Sequence, residues 1–139
     1  MQGSQREKVL GELGVLWITY GLTCAGWHVY RKLNEKGFDL LAEREGKTKW
    51  IEIKTRDVLL SRSKNSKYVS VGQSERQRAL ADYLAVYVHG AGTALLIPAV
   101  LPAVTKSVSR NGLKVGEWHG SSFVPVEEFA CYIDNYDLK

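Results

Sequence analysis

From Val9 onward, apolar residues return at helical spacing, at Val9, Leu10, Leu13, Leu16, Trp17 and Tyr20. Steps of three and four residues mark an amphipathic helix. Ahead of it, Ser4-Gln5-Arg6-Glu7 reads as a capping box, Ser4 accepting backbone N–H groups and Glu7 reaching back. Gly26 suits the stop after a last turn. The period then shortens to two. Trp27 to Arg31, Phe38 to Glu43 and Lys49 to Thr55 read as strands, the last two joined by Arg44-Glu45-Gly46-Lys47. Tyr68 to Val71 reads as a short strand after a Ser- and Lys-rich loop from Ser61 to Lys67. Ser74-Glu75-Arg76-Gln77 is a second capping box, opening a helix through about Ala81. Tyr83 to Val88 and Thr93 to Ile97 flank His89-Gly90-Ala91-Gly92, a hairpin turn. The stretch from Pro98 to Gly120, punctuated by Gly and Pro, has no readable period. A last helix is expected to carry Phe129, Tyr132, Ile133 and Tyr136 on its buried face. Helix, three strands, helix, two strands and a helical tail predict one mixed α/β domain over residues 1–139, its first strands a meander.

Register gives the pattern a chemical meaning. If the turn pivots between Glu45 and Gly46, where Gly supplies positive φ, paired residues have numbers summing to 91. Asp39 then lies opposite Glu52, with Cβ atoms about 4.5–5.5 Å apart on one face. Lys54, two residues on, shares that face. Phe38, Leu40, Ala42, Ile51 and Ile53, all apolar, take the other. Facing carboxylates repel unless a cation lies between them, and Mg²⁺ prefers carboxylate oxygens while keeping several waters. An ammonium beside the metal orients an attacking water, or acts as a base if its pKa is lowered. The same residues also fit an ordinary solvent face, both acids salt-bridged to Lys54. The hairpin alone leaves both readings open.

Composition narrows the class. The chain has 139 residues, 45% hydrophobic and 24% charged, as a soluble globular protein does. No apolar run reaches the ~18 residues of a membrane span, and the polar N-terminus does not read as a signal peptide. Cys24 and Cys131 lack metal-ligand spacing and are expected as buried, reduced thiols of an intracellular, cytoplasmic protein. A net charge of +4 permits a polyanionic partner. Lys54, Arg56, Arg62, Lys64 and Lys67 crowd a stretch whose one acid is Asp57, either a solvated loop or a grip on phosphates. His28, His89 and His119 have no partner at zinc-like spacing. No Gly-x-Ser-x-Gly elbow surrounds Ser61, Ser63 or Ser66, and no Walker-type phosphate loop is present.

Gly37-Phe38-Asp39-Leu40-Leu41-Ala42 followed by Trp50-Ile51-Glu52-Ile53-Lys54-Thr55-Arg56 resembles the split Asp … Glu-x-Lys signature of the PD-(D/E)XK nuclease superfamily, with Phe38 where that pattern has proline. Within the superfamily the chain is similar to archaeal-type Holliday junction resolvases. Gly11-Glu12-Leu13-Gly14 stands on the first helix ahead of Gly26-Trp27-His28-Val29, and the likeness continues through Lys67-Tyr68-Val69 to Gln73 and Arg76. It covers roughly the first 100 residues.

The resemblance implies a restriction-endonuclease-like core, a mixed central β-sheet flanked by helices. It implies an endonuclease using Mg²⁺, or Mn²⁺ in its place, with Glu12, Asp39, Glu52 and Lys54 as catalytic residues. Glu12, Asp39, Glu52 and the Ile53 carbonyl would form the metal shell. Arg56, Arg62, Lys64, Lys67, Gln73 and Arg76 are the expected DNA contacts. The implied substrate is a four-way junction or other branched DNA, cut by a two-fold homodimer. Val58-Leu59-Leu60 and the C-terminal helix are candidate dimer surfaces. Asp82-Tyr83-Leu84-Ala85-Val86-Tyr87, followed by Ile97-Pro98, also looks like the homing-type members. A restriction-like or homing endonuclease, or an inactive DNA-binding module, is therefore the alternative.

Overall fold

The computed structural model describes residues 3–31, 39–58, 67–72, 80–101, 105, 107–109 and 112–139, the side chains of residues 3, 4, 67 and 109 excepted. Helix α1 (Gly3–Cys24) leads into β1 (His28–Arg31), β2 (Leu40–Arg44) and β3 (Lys47–Asp57). Strand β4 (Lys67–Val71) follows, then β5 (Tyr83–His89) and β6 (Thr93–Pro98). Short β7 (Val108–Ser109), β8 (Gly112–Trp118), β9 (Phe123–Pro125) and a 3-10 turn, η1 (Glu127–Tyr132), complete the order. Residues 73–79, which hold most of the predicted second helix, lie outside the described residues.

Strands β1-β2-β3-β5-β6 form one mixed sheet, antiparallel throughout except for the parallel β3–β5 pair. Strand β5 is buried from Tyr83 to Val88, as expected of a strand covered on both faces. On one face Ile18 and Leu22 of α1 pack with Leu40, Ala42, Ile51, Ala85 and Leu96. On the other, Leu84, Val86, Val88, Leu95 and Ile97 meet Val69, Val71, Leu113, Val115 and Phe129. That second layer is a sheet, β4-β8-β7 with β9 beside β8. The unreadable stretch supplies its β7 and β8, and the predicted Tyr68–Val71 strand its β4, so among the described residues the central sheet is flanked by a helix on one face and a sheet on the other.

Three expectations are corrected. Helix α1 begins at Gly3, so Ser4 sits inside the first turn and not at a cap. Most of its predicted apolar stripe faces solvent: Val9, Leu13, Leu16 and Tyr20 are exposed, while the Trp17 ring stacks on Tyr87 of β5 at 5.1 Å between centroids. The helix packs through Gly14, Ile18 and Leu22 because its glycines permit close approach. A Cβ at Gly14 would stand 2.2 Å from Thr55 Oγ1, and one at Gly21 2.2 Å from the Tyr136 ring. The stop is as predicted: Gly26, at φ 92°, donates to the Thr23 carbonyl and Trp27 to the Leu22 carbonyl, both at 3.0 Å, a Schellman closure.

The third correction is the tail, which is no regular helix. Phe129 and Ile133 belong to the core between the two sheets, whereas Tyr136 and Leu138 belong to the core under α1. One straight helix cannot serve both, and the chain turns through Asp134 and Leu138 at positive φ. Trp27 Nε1 donates to the Tyr136 carbonyl at 2.8 Å, and the Tyr83 hydroxyl donates to the Leu138 carbonyl. Cys24 and Cys131, expected to be buried, are both exposed free thiols. No described helix is long and apolar enough to cross a membrane.

Two outcomes follow from this packing. Gly21→Ala should cost about 1–3 kcal/mol in urea denaturation, the usual penalty of overpacking, because the Tyr136 ring must shift. Burial pushes the Tyr136 phenol up to about 12 from its ordinary 10. A phenol that ionises later in the folded state contributes stability that is intact below pH 10 and lost as pH rises towards 12. Tyr136→Phe should therefore flatten, though not abolish, the fall of the urea midpoint across that window, since Tyr83, Tyr87 and Tyr132 are also raised by burial.

Candidate active site

The hairpin has the predicted register. Leu40 pairs with Ile51, Ala42 with Lys49 and Arg44 with Lys47. Glu45 and Gly46, at φ 52° and 77°, form the turn, with both central residues left-handed as in type I′. Leu40, Ala42 and Ile51 are buried against α1, and alternation along β3 sends Glu52 and Lys54 to the opposite face, while Asp39 stands at the open edge beyond the last β2–β3 pair. Asp39 is tied to β3 twice: its N–H donates to the Ile51 carbonyl at 2.8 Å, and its Oδ2 accepts the Ile53 N–H at 2.7 Å. Lys54 Nζ lies 3.8 Å from Glu52 Oε1. Glu52 as a whole residue is 8% exposed.

A cleft of about 580 Å³ opens where β3 outruns β2. Strand β2 pairs with β3 only as far as Ile51, while β5 supports β3 to Asp57. Glu12, Arg31, Asp39, Ile53 and Lys54 line the cleft; Glu52 sits behind its wall. The N–H and C=O of a strand residue leave on the same edge, so the Ile53 carbonyl points past the end of β2, as its N–H does.

The N-terminal half of α1 forms the facing wall. Arg6 holds Asp57 at 2.6 Å, with the Asp57 side chain only 6% exposed. Glu12 accepts both guanidinium nitrogens of Arg31, at 2.6 and 2.5 Å. That bidentate hydrogen bond, with the Arg31 charge, holds the Glu12 carboxyl below its ordinary value, and Asp39 helps raise Arg31. Glu12 is thus in the cleft but turned to Arg31. Among the described residues no three His, Cys, Asp or Glu side chains gather as a metal shell. The oxygen donors at the open end of the hairpin are the Asp39 carboxylate and the Ile53 carbonyl at the cleft, with Glu52 behind its wall. Such a set suits a hard cation that keeps most of its waters, as Mg²⁺ does.

Arg56 is engaged elsewhere. Its Nε donates to the Ser70 carbonyl and its Nη1 to the Thr55 carbonyl, both at 2.8 Å, and burial lowers its pKa. It ties β3 to the second sheet. Arg62, Lys64, Gln73, Arg76 and Phe38 lie outside the described residues, as does the Lys67 side chain. Sequence reasoning missed Arg31 and Asp82. Arg31 pairs across from Leu40, one residue from Asp39, a signal that the register already contained. Asp82 accepts the Trp50 N–H at 2.8 Å and returns its own N–H to the Trp50 carbonyl, fixing where β5 meets β3. His28 and His119 are exposed, and His89 is hydrogen-bonded to the Tyr87 hydroxyl at 3.0 Å.

No protein-family model matches the chain, and no curated protein matches it. Among solved structures it is similar to a bacterial homing endonuclease, I-Ssp6803I, at TM-score 0.59 and 14% identity, over 94% of this chain and 88% of that one. At that score the chain shares the fold of this endonuclease. Archaeoglobus fulgidus Hjc, a Holliday junction resolvase, also matches, at TM-score 0.47 and 17% identity, over 85% of this chain and 93% of that one.

The Glu12–Arg31 pair gives a direct test. In an NMR titration, Arg31→Ala should return the Glu12 carboxyl upward towards the ordinary glutamate value of 4.5. A Glu12 curve unmoved by the change would show that another group holds it down.

Proposed function

We propose that this chain is a Mg²⁺-dependent DNA endonuclease that hydrolyses phosphodiester bonds in branched DNA. The observations that support the reading lie at the open end of the hairpin, where Asp39 Oδ2 accepts the Ile53 N–H at 2.7 Å and Lys54 Nζ lies 3.8 Å from Glu52 Oε1. Asp39 and Glu52, with the Ile53 carbonyl, would hold the metal. When bound there, Mg²⁺ would supply Lewis-acid polarisation of the scissile phosphate and of a bound water.

The remaining roles belong to the protein. The Ile53 N–H fixes the Asp39 carboxylate, leaving its other oxygen for a ligand. Lys54 orients the attacking water and offsets charge developing on the phosphate. Glu12 would complete the shell only by releasing Arg31, and Arg31, once released, is a ready phosphate partner at the same wall. Phosphate contacts of this kind position DNA without reading sequence. Arg62, Lys64 and Lys67 extend that grip in this proposal. Paired cuts across a four-way junction need two symmetric sites, hence a two-fold homodimer.

A second reading, a sequence-specific duplex cutter, is favoured by the likeness to the homing endonuclease. Labelled four-way junction and linear duplex, each with Mg²⁺, Ca²⁺ and EDTA, separate the two: cutting of the duplex alone would replace the first reading by the second. Asp39→Asn and Glu52→Gln should each abolish Mg²⁺-dependent cleavage while leaving folding and binding nearly intact. Near wild-type single-turnover rates in either variant would misplace the metal site. Lys54→Ala should slow the chemical step more than it weakens binding. Arg62→Ala with Lys64→Ala should flatten the slope of log affinity against log salt by up to about two units, since each duplex phosphate contact is worth about 0.9. An unchanged slope would turn that loop away from DNA.

A further inference from the structure

The face of α1 turned away from the sheet carries Val9, Leu13, Leu16 and Tyr20, exposed at 46, 38, 54 and 74%, and Trp17 flanks it, 39% exposed, with its ring stacked on Tyr87 of β5. Cys24 is exposed along the same line. From Leu13 to Trp27 the chain has no charged residue. We propose that this stripe docks a second copy of the chain, α1 lying antiparallel to α1 across a two-fold axis.

The spacing supports self-pairing. With the axis between Leu16 and Trp17, residues whose numbers sum to 33 face each other. Val9 then meets Cys24, Leu13 meets Tyr20 and Leu16 meets Trp17, so all six positions map onto one another. An isologous interface requires this self-complementarity, and each pair sets a larger side chain against a smaller one.

Area and charge point the same way. At ~200 Å² per fully exposed large side chain, the five large residues offer about 500 Å² per copy. A pair removes about 1,000 Å² before flanking residues are counted, the level a specific interface must reach. The absence of cations disfavours nucleic acid, which needs phosphate partners, and a membrane surface, which selects helices rich in Lys and Arg.

The test uses the full chain. Sedimentation equilibrium should give a dimer at micromolar concentration. Leu16→Glu and Tyr20→Glu, both at exposed positions, should each give a monomer with unchanged circular dichroism. With Cys131→Ser as background, Val9→Cys should form an oxidised dimer with the native Cys24. Residues 9 and 24 lie about 22 Å apart on one helix at 1.5 Å per residue, beyond the reach of a disulfide, so that bond joins two copies. Adding Cys24→Ser should abolish it. A wild-type chain monomeric at 100 μM, a dimer that survives both glutamates, or equal cross-linking from a control Lys8→Cys would each overturn the proposal. So would a monomer that instead sediments with phosphatidylcholine–phosphatidylserine vesicles. Cleavage is read separately: a monomer that cuts DNA removes this surface and leaves the nuclease reading, and a dimer that does not cut does the reverse.

Discussion

A two-residue turn governs the rest of this structure. Glu45 and Gly46 both adopt positive φ, and a type I′ turn of this kind admits one register between its strands. A slip of one residue would carry Ile51 and Ile53 out of the core and drive Glu52 into it. Apolar burial under α1 and the turn therefore enforce the same pairing. Glu52 and Lys54, on the far face, inherit their positions from that agreement and need no interaction of their own to reach them.

Pattern reading found the hairpin because the signals there are local: strict alternation, one glycine and a two-residue loop. It found β5 and β6 from their apolar runs and the glycine-rich turn between them. It failed where packing rests on residues that apolar periodicity does not weigh. Helix α1 lies on the sheet through Gly14 and Gly21, so the most apolar stripe marks the outer face. Strand β8 escaped notice because Gly116 lies under the Phe123 ring and a register shift breaks its pairing between Val69 and Ser70. The tail kept helical spacing, yet its aromatics divide between two cores.

At the cleft the legible part was identity and the illegible part was partnership. Sequence placed Asp39, Glu52 and Lys54 together, but Glu12 points at Arg31. An acid on a helix and a base on a neighbouring strand meet only once both elements are docked. Arg56 shows the same limit from the other side, since its neighbours at Ser70 come from a different sheet. Charge counted along the chain cannot tell a guanidinium that links two layers from one left for a phosphate.

The pairing of β3 with β5 has a kinetic meaning. The hairpin closes a loop of two residues, whereas Ile51 and Tyr83 meet only after more than thirty intervening residues are drawn together. Closing that loop costs entropy before any contact rewards it, and parallel pairings of this span are slow to form. The Asp39–Ile53 contact should therefore form while the wall behind it is still missing. In pulse-labelling hydrogen exchange, the amides of β2 and the first half of β3 are expected to be protected before those of β5. The chain would then assemble its chemistry first and its support afterwards.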